Sequence, residues 1–220
     1  MKRKIDRSLW IGSLLCLVPI IFGLIYYNKM PETVAIHYDS RGNPNGYAMK
    51  EFVIFVFPIL MTLLHIIVNV SAEKSAVKGK AAKQLVWIGK WIIPIAVVII
   101  QPLAIFKSAG KDTPINAVIT IMCGLILILS GNYLPKNRVN PNVGLKFPWL
   151  FHDEDGWRKT HKLSGYLWII AGFILLLCSF VRIPFIIIIT VIVLLIAILP
   201  IIYSLCLYKK RKSNYIKPKE

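Results

Sequence analysis

Six apolar stretches, at residues 9–27, 52–70, 85–106, 115–130, 166–181 and 183–208, alternate with short polar segments along this chain. A helix needs about 20 residues to cross the hydrocarbon layer. All but the fourth and fifth stretches reach or approach that length unaided, and those two reach it by borrowing residues 131–134 and 162–165. The runs are continuous, whereas a membrane barrel strand shows about ten residues of alternating polarity. The pattern therefore predicts an all-α integral membrane protein of about six transmembrane helices.

Charge sets the orientation of that expectation. The formal net charge of +17 would suit a nucleic-acid ligand, but the distribution argues otherwise, because 20 of the 27 basic residues fall in every second gap. They are Lys2, Arg3, Lys4 and Arg7; Lys74, Lys78, Lys80 and Lys83; six between the fourth and fifth stretches; and six in the carboxy-terminal tail. The opposite side holds Lys29, Arg41, Lys50, Lys107, Lys111 and Arg182, and Lys90 lies within a stretch. The positive-inside rule predicts a multi-pass plasma-membrane protein with both termini cytoplasmic. The basic excess then meets anionic lipid headgroups, and direct nucleic-acid binding is not expected. Two modules are expected: 1–110 with an extracellular loop 28–51, and 111–220 with a cytoplasmic loop 131–165 and the basic tail.

The first stretch is expected to remain as a helix. It is long for a signal peptide and lacks a small-x-small cleavage site near Tyr27, and Leu15 is too large for a lipoprotein box at Cys16. Cys16, Cys123, Cys178 and Cys206 fall in or at the end of spans with no metal-ligand spacing. They are read as packing residues. No cofactor or metal is expected.

The extracellular loop alternates Val34, Ile36 and Tyr38 with Thr33, Ala35 and His37, the period of a short strand with one face against something apolar. Gly42-Asn43-Pro44-Asn45-Gly46 then supplies turn chemistry. A small folded cap is expected, either sealing helix ends or contacting a ligand through His37, Asp39, Asn43, Asn45, Gly46 and Tyr47.

The cytoplasmic loop carries Asn132, Pro135, Asn140, Pro141, Asn142, Gly144, Lys146, Pro148 and Trp149, then Asp153-Glu154-Asp155 ahead of Trp157-Arg158-Lys159-Thr160-His161-Lys162. Acids before bases suit a helix start, with Asp153 as cap. Trp157 and His161 would share a face at i and i+4. Trp149 and Trp157 also suit the headgroup zone. These features predict an interfacial helix leading into the fifth span.

At these two loops the chain resembles a known family. Gly131-Asn132-Tyr133-Leu134-Pro135-Lys136, Asn142-Val143-Gly144-Leu145-Lys146-Phe147-Pro148-Trp149 and Trp157 to Lys162 are similar to the carboxy-terminal module of the SdpI family of bacterial immunity proteins. Met30-Pro31 through His37, with Gly42 to Tyr47, resembles the small uncharacterised domain that commonly precedes it. The chain departs from that pattern at Lys146, where arginine is usual, at Phe147, where a small polar residue is common, and at Ser164, often glycine. A lysine at 146 cannot reproduce an arginine's two parallel hydrogen bonds to an anion. The resemblance implies a six-helix, non-enzymatic protein of the bacterial plasma membrane that protects against a secreted, membrane-active peptide toxin. It also implies signalling, with a cytosolic transcriptional repressor held at the membrane by the toxin-engaged protein. Asn132, Pro135, Asn142, Gly144, Lys146, Pro148, Trp149, Trp157, Arg158, Thr160 and His161 would then form the inner partner-binding or structural surface.

Two other classes compete. A small-solute transporter or channel would use the polar groups inside spans, His65, Lys90 and Gln101, with Gln101 between Pro94 and Pro102 in a broken helix. Against it, Lys90 lies near the cytoplasmic end, where it can snorkel, and no inverted repeat is visible. An enzyme would assemble His152, Asp153, Glu154, Asp155 and His161, yet acids flanked by lysines usually form a solvated surface. Pro19, Pro58, Pro94, Pro102, Pro184 and Pro200 each remove a helical hydrogen bond and are candidate pivots or simply packing features.

Overall fold

The computed structural model describes residues 7–38, 44–77, 81–181 and 183–216. Among the described residues six helical segments are long and apolar enough to cross a membrane: Arg7–Lys29, Phe52–Lys74, Lys83–Ser108, Ile115–Lys136, Glu154–Cys178 and Ile186–Lys212. The chain is a multi-pass helical membrane protein.

Its helices are α1 (Arg7–Leu17), α2 (Pro19–Tyr26), α3 (Phe57–Val77), α4 (Lys83–Ser108), α5 (Ile115–Tyr133), α6 (Glu154–Cys178), α7 (Phe185–Val193) and α8 (Leu199–Ile216). Prolines act differently in different spans. The first span is interrupted just ahead of Pro19, which opens α2, because proline cannot donate backward but suits a first helical turn. By contrast, α4 runs unbroken through Pro94 and Pro102, so the broken third helix of the transporter reading is not formed. Wider π-helical turns at Phe52–Val56 and Leu194–Ile198 lie just ahead of Pro58 and Pro200.

One compact unit comprises Met1–Ser71 and Gly89–Met122. Its cap is a hairpin, β1 (Thr33–Tyr38) antiparallel to β2 (Pro44–Met49). The alternation in β1 foretells the strand, while Asn45 and Gly46, expected in the turn, belong to β2. The register slips around His37, which faces Gly46, and a Cβ on Gly46 would lie 2.9 Å from that of His37. Glycine here permits the irregular pairing. Only part of the expected apolar face is covered: Val34 is buried with Met30, Val53, Ile54 and Ile105, but Ile36 is exposed. Phe22 and Tyr26 meet the ring of Phe106 edge-on.

The other unit comprises Ala72–Ile88 and Cys123–Glu220. Lipid tails are as apolar as leucine, so helices gain cohesion from close approach more than from burial. In α5 and α6 that approach is made by two glycine pairs. A Cβ on Gly131 would sit 2.7 Å from the carbonyl oxygen of Gly165, and one on Gly172 would sit 2.6 Å from that of Gly124. Farther along, Ala171, Leu175 and Ile192 form a cluster flanked by Leu127 and Ile188.

Candidate functional site

The segment between α5 and α6 closes into a knot of backbone and amide hydrogen bonds. After α5 a tight turn at Leu134–Lys136 delivers Asn137 into the interior. Its Nδ2 donates to the Val143 carbonyl at 2.7 Å. Its Oδ1 accepts from the Ala82 N–H at 3.2 Å and from Asn140 Nδ2 at 3.3 Å. The Asn137 backbone carbonyl accepts from Trp157 Nε1 at 2.8 Å. Asn140 repeats the strategy locally, its Oδ1 accepting from the Asn142 and Val143 N–H groups at 3.1 and 2.7 Å. Buried backbone groups must find partners, and in this segment without regular structure the two asparagines supply them.

Gly144 completes the turn with φ at +100°, and a Cβ there would come within 2.6 Å of both Asn137 Nδ2 and His161 Nε2. The position admits glycine alone on both counts. His161 Nε2 accepts from the Leu145 N–H at 3.1 Å, and its Nδ1 donates to the Trp157 carbonyl at 2.9 Å. Accepting at one nitrogen and donating at the other fixes the neutral, Nδ1-protonated imidazole. Its ring stacks on Trp157 with centroids 4.2 Å apart.

Asp153 caps α6 by accepting from the Gly156 N–H at 2.8 Å, as its sequence position predicts. No separate interfacial helix forms, because the capped turn runs directly into the fifth span. The far end of α8 is tied to the same place. Arg211 pairs with Asp153 and Asp155, and Trp149 Nε1 donates to Ser204 Oγ at 3.2 Å. Asp155 is also held by Arg158 and Lys159, each at 2.8 Å.

The expected inner surface is therefore two populations. Trp157, Thr160 and His161 are fully buried, which overturns the headgroup reading of Trp157: its ring is covered and its N–H is spent on Asn137. Gly144 and Asn142 belong to the knot, and Pro135 packs beside Gly165. Asn132, Lys146, Pro148 and Arg158 are exposed, and Trp149 is half-buried. Phe147 stacks on Trp149 at 5.4 Å, giving the departure at that position a packing role. The acids and histidines of the enzyme reading do not converge: His152 is exposed, the two aspartates are ion-paired and His161 faces backbone. Among the described residues no three His, Cys, Asp or Glu side chains could hold a metal ion.

Sequence reasoning passed over Asn137, Arg211 and Ser204. Asn137 had a usable signal, since it is the first of three asparagines between Pro135 and Gly144 in a segment that needs backbone partners. The Arg211 contact spans α6 to α8 and had none.

In the hairpin, His37 Nδ1 donates to Asn45 Oδ1 at 2.5 Å, and Tyr47 is 59% and Met49 69% exposed. Asp39 and Asn43 lie outside the described residues. At the hairpin base the Lys50 ammonium donates to Glu32 at 2.9 Å, which raises its pKa, and the Tyr27 hydroxyl donates to Glu51 at 2.5 Å, which lowers that carboxyl's pKa. Inside the spans, Gln101 Nε2 donates to the Val53 carbonyl at 2.7 Å, His65 is buried beside Gly12, and Lys90 is buried.

A multi-pass helical protein with this knotted polar loop and a strand-paired cap is the class that the fold and site define. The comparisons with known proteins name the modules. Residues 134–204, which hold most of the knot, match the SdpI/YfhL protein family, and residues 14–62 match a domain of unknown function, DUF1648. The chain is 26% identical over 205 residues to the Immunity protein SdpI of Bacillus subtilis (strain 168), a match covering 93% of this chain and 97% of the relative. No solved structure matches.

Proposed function

We propose that this chain is a plasma-membrane immunity protein, without catalysis, that protects its host against a secreted, membrane-active peptide toxin. The observation carrying the reading is the near full-length similarity to an immunity protein, which includes both loops. In this reading both termini and loop 131–165 face the cytoplasm, as the charge bias supports. The modules 1–110 and 111–220 then divide the work, the first presenting the hairpin outside and the second the basic loop inside.

The exposed side chains of the hairpin, His37, Asn45 and Tyr47 with Met49, are the contact for the toxin, and Asp39 and Asn43 extend it. The buried part of the loop is scaffold. Its exposed residues Asn132, Lys146, Pro148 and Arg158 are the face offered to a cytosolic repressor during signalling. For the two faces to communicate, toxin must favour one helix arrangement over another. The transporter reading is weakened, since α4 is unbroken and the Gln101 Nε2 is engaged by the Val53 carbonyl, although Gln101 Oε1 is buried without a partner.

The test is survival of a toxin-sensitive bacterium expressing the chain and challenged with the peptide toxin of the SdpI system. Protection relative to an empty vector is expected. Death at the same toxin dose, with the protein inserted in the membrane, would refute the reading.

A further inference from the structure

Beside the knot lies a cavity of about 550 Å³ between the turn that follows α5 and the first turn of α6. Its walls carry three cations, Lys136, Arg138 and Arg158, and Trp157 forms part of the lining. Two carboxylates also line it. Asp155 is already paired with Arg158, Lys159 and Arg211, which leaves Lys136 and Arg138 as the lining cations not spent on it, whereas Glu154 is exposed and subtracts one charge. The balance is positive, and the backbone beneath Lys136 and Arg138 is held in place by the buried Asn137.

Position narrows the ligand. Lys136 ends one membrane-length segment and Glu154 begins the next, so the cavity opens where hydrocarbon gives way to headgroups. A guanidinium offers a planar fork that matches two phosphate oxygens, and a lysine adds a point charge. Basic recesses at helix ends on membrane proteins suit the phosphates of acidic lipids. A volume of this size takes a headgroup while leaving acyl chains outside.

We propose that this cavity is a binding site for a phosphate ester, supplied by the headgroup of an anionic phospholipid or by a soluble phosphate. The site is independent of the immunity reading and requires no toxin.

The experiment uses the full chain, purified in uncharged detergent and stripped of lipid, with thermal unfolding followed during titration. The probes are dioctanoyl phosphatidylglycerol, dioctanoyl phosphatidylcholine and inorganic phosphate. Phosphatidylglycerol should raise the unfolding temperature saturably, and phosphatidylcholine should not. The double variant Lys136→Gln/Arg138→Gln should raise the half-saturating concentration at least tenfold, while Lys209→Gln/Lys210→Gln, equal in charge but on the tail, should change it less than twofold. Val139→Trp, which fills the cavity without altering charge, should also abolish saturation. Inorganic phosphate saturating with the same dependence on Lys136 and Arg138, with no gain from acyl chains, would assign the site to a soluble phosphate. Equal weakening by the tail pair, or indifference to the cavity variants, would overturn the site.

Discussion

The side-chain amide of Gln101 donates a 2.7 Å hydrogen bond to the backbone carbonyl of Val53. This carbonyl sits in the π-helical turn ahead of Pro58, and the residue five positions on, which would normally supply its donor, is that proline. Near Pro200, Trp168 Nε1 likewise donates across helices, to the Ile196 carbonyl at 3.1 Å, and Pro200, four residues on, has no N–H to offer that carbonyl. In hydrocarbon no water replaces the lost partner, so a neighbouring helix must. In each unit a polar side chain from one helix thus donates to a carbonyl ahead of a proline on another.

Replacing Gln101 by leucine should cost about 0.5–1.5 kcal/mol, the range for interhelical hydrogen bonds in membranes. In a Pro58→Ala background, where a backbone N–H is restored, the same replacement should cost less. A double-mutant cycle on unfolding in detergent checks this, and equal costs in both backgrounds would sink the repair argument.

The glycine contacts between α5 and α6 lead to a steric expectation. Gly165→Ala places a Cβ 2.7 Å from the Gly131 carbonyl oxygen, inside van der Waals contact, so the helices must part. Overpacking of this kind costs about 1–3 kcal/mol. Gly89→Ala, with nothing within 4 Å of the new Cβ, should be neutral or slightly stabilising, and melting temperatures of the two variants make the comparison.

Asn137→Ala removes the partners of the Val143 carbonyl and the Ala82 N–H together. Both groups are partly buried, so each left unsatisfied should cost up to about 1–3 kcal/mol, and the change should be among the most damaging in the loop. Lys146→Ala, at an exposed position, should leave folding within about 0.5 kcal/mol. Abundance of correctly inserted protein distinguishes them, and parity would show that the knot is dispensable.

Trp157 separates shape from hydrogen bonding. Trp157→Phe keeps a ring over His161 but loses the bond to the Asn137 carbonyl, so a loss of about 1–3 kcal/mol is expected, while Trp157→Ala should lose more through the cavity it leaves. Trypsin resistance of loop 131–165 reads the order, and a phenylalanine variant cleaved as fast as the alanine variant would contradict it.

The parts legible in sequence were those governed by local pattern. Apolar run length yields the six spans, the alternation at Val34 and Thr33 yields a strand, and acids preceding bases place the cap at Asp153. Illegible parts depend on which distant groups meet. Nothing local distinguishes a Trp157 suited to headgroups from one whose N–H is claimed by Asn137, because both are tryptophans near a helix start. Gln101 between prolines resembles a transport site until the carbonyl of Val53, on another helix, is placed beside it. The pairing of Gly131 with Gly165 likewise needs both helices.

The measurement that bears most directly on the central claim is toxin survival of cells carrying equal membrane amounts of three proteins: the native chain, a Tyr47→Ser/Met49→Ser variant of the exposed hairpin side chains, and Lys146→Ala in the basic loop. Survival is expected with the native chain and with Lys146→Ala, and a tenfold or greater loss with the hairpin variant. No protection by the native chain would contradict the immunity account itself, and full protection by the hairpin variant would contradict the assignment of toxin contact to Tyr47 and Met49.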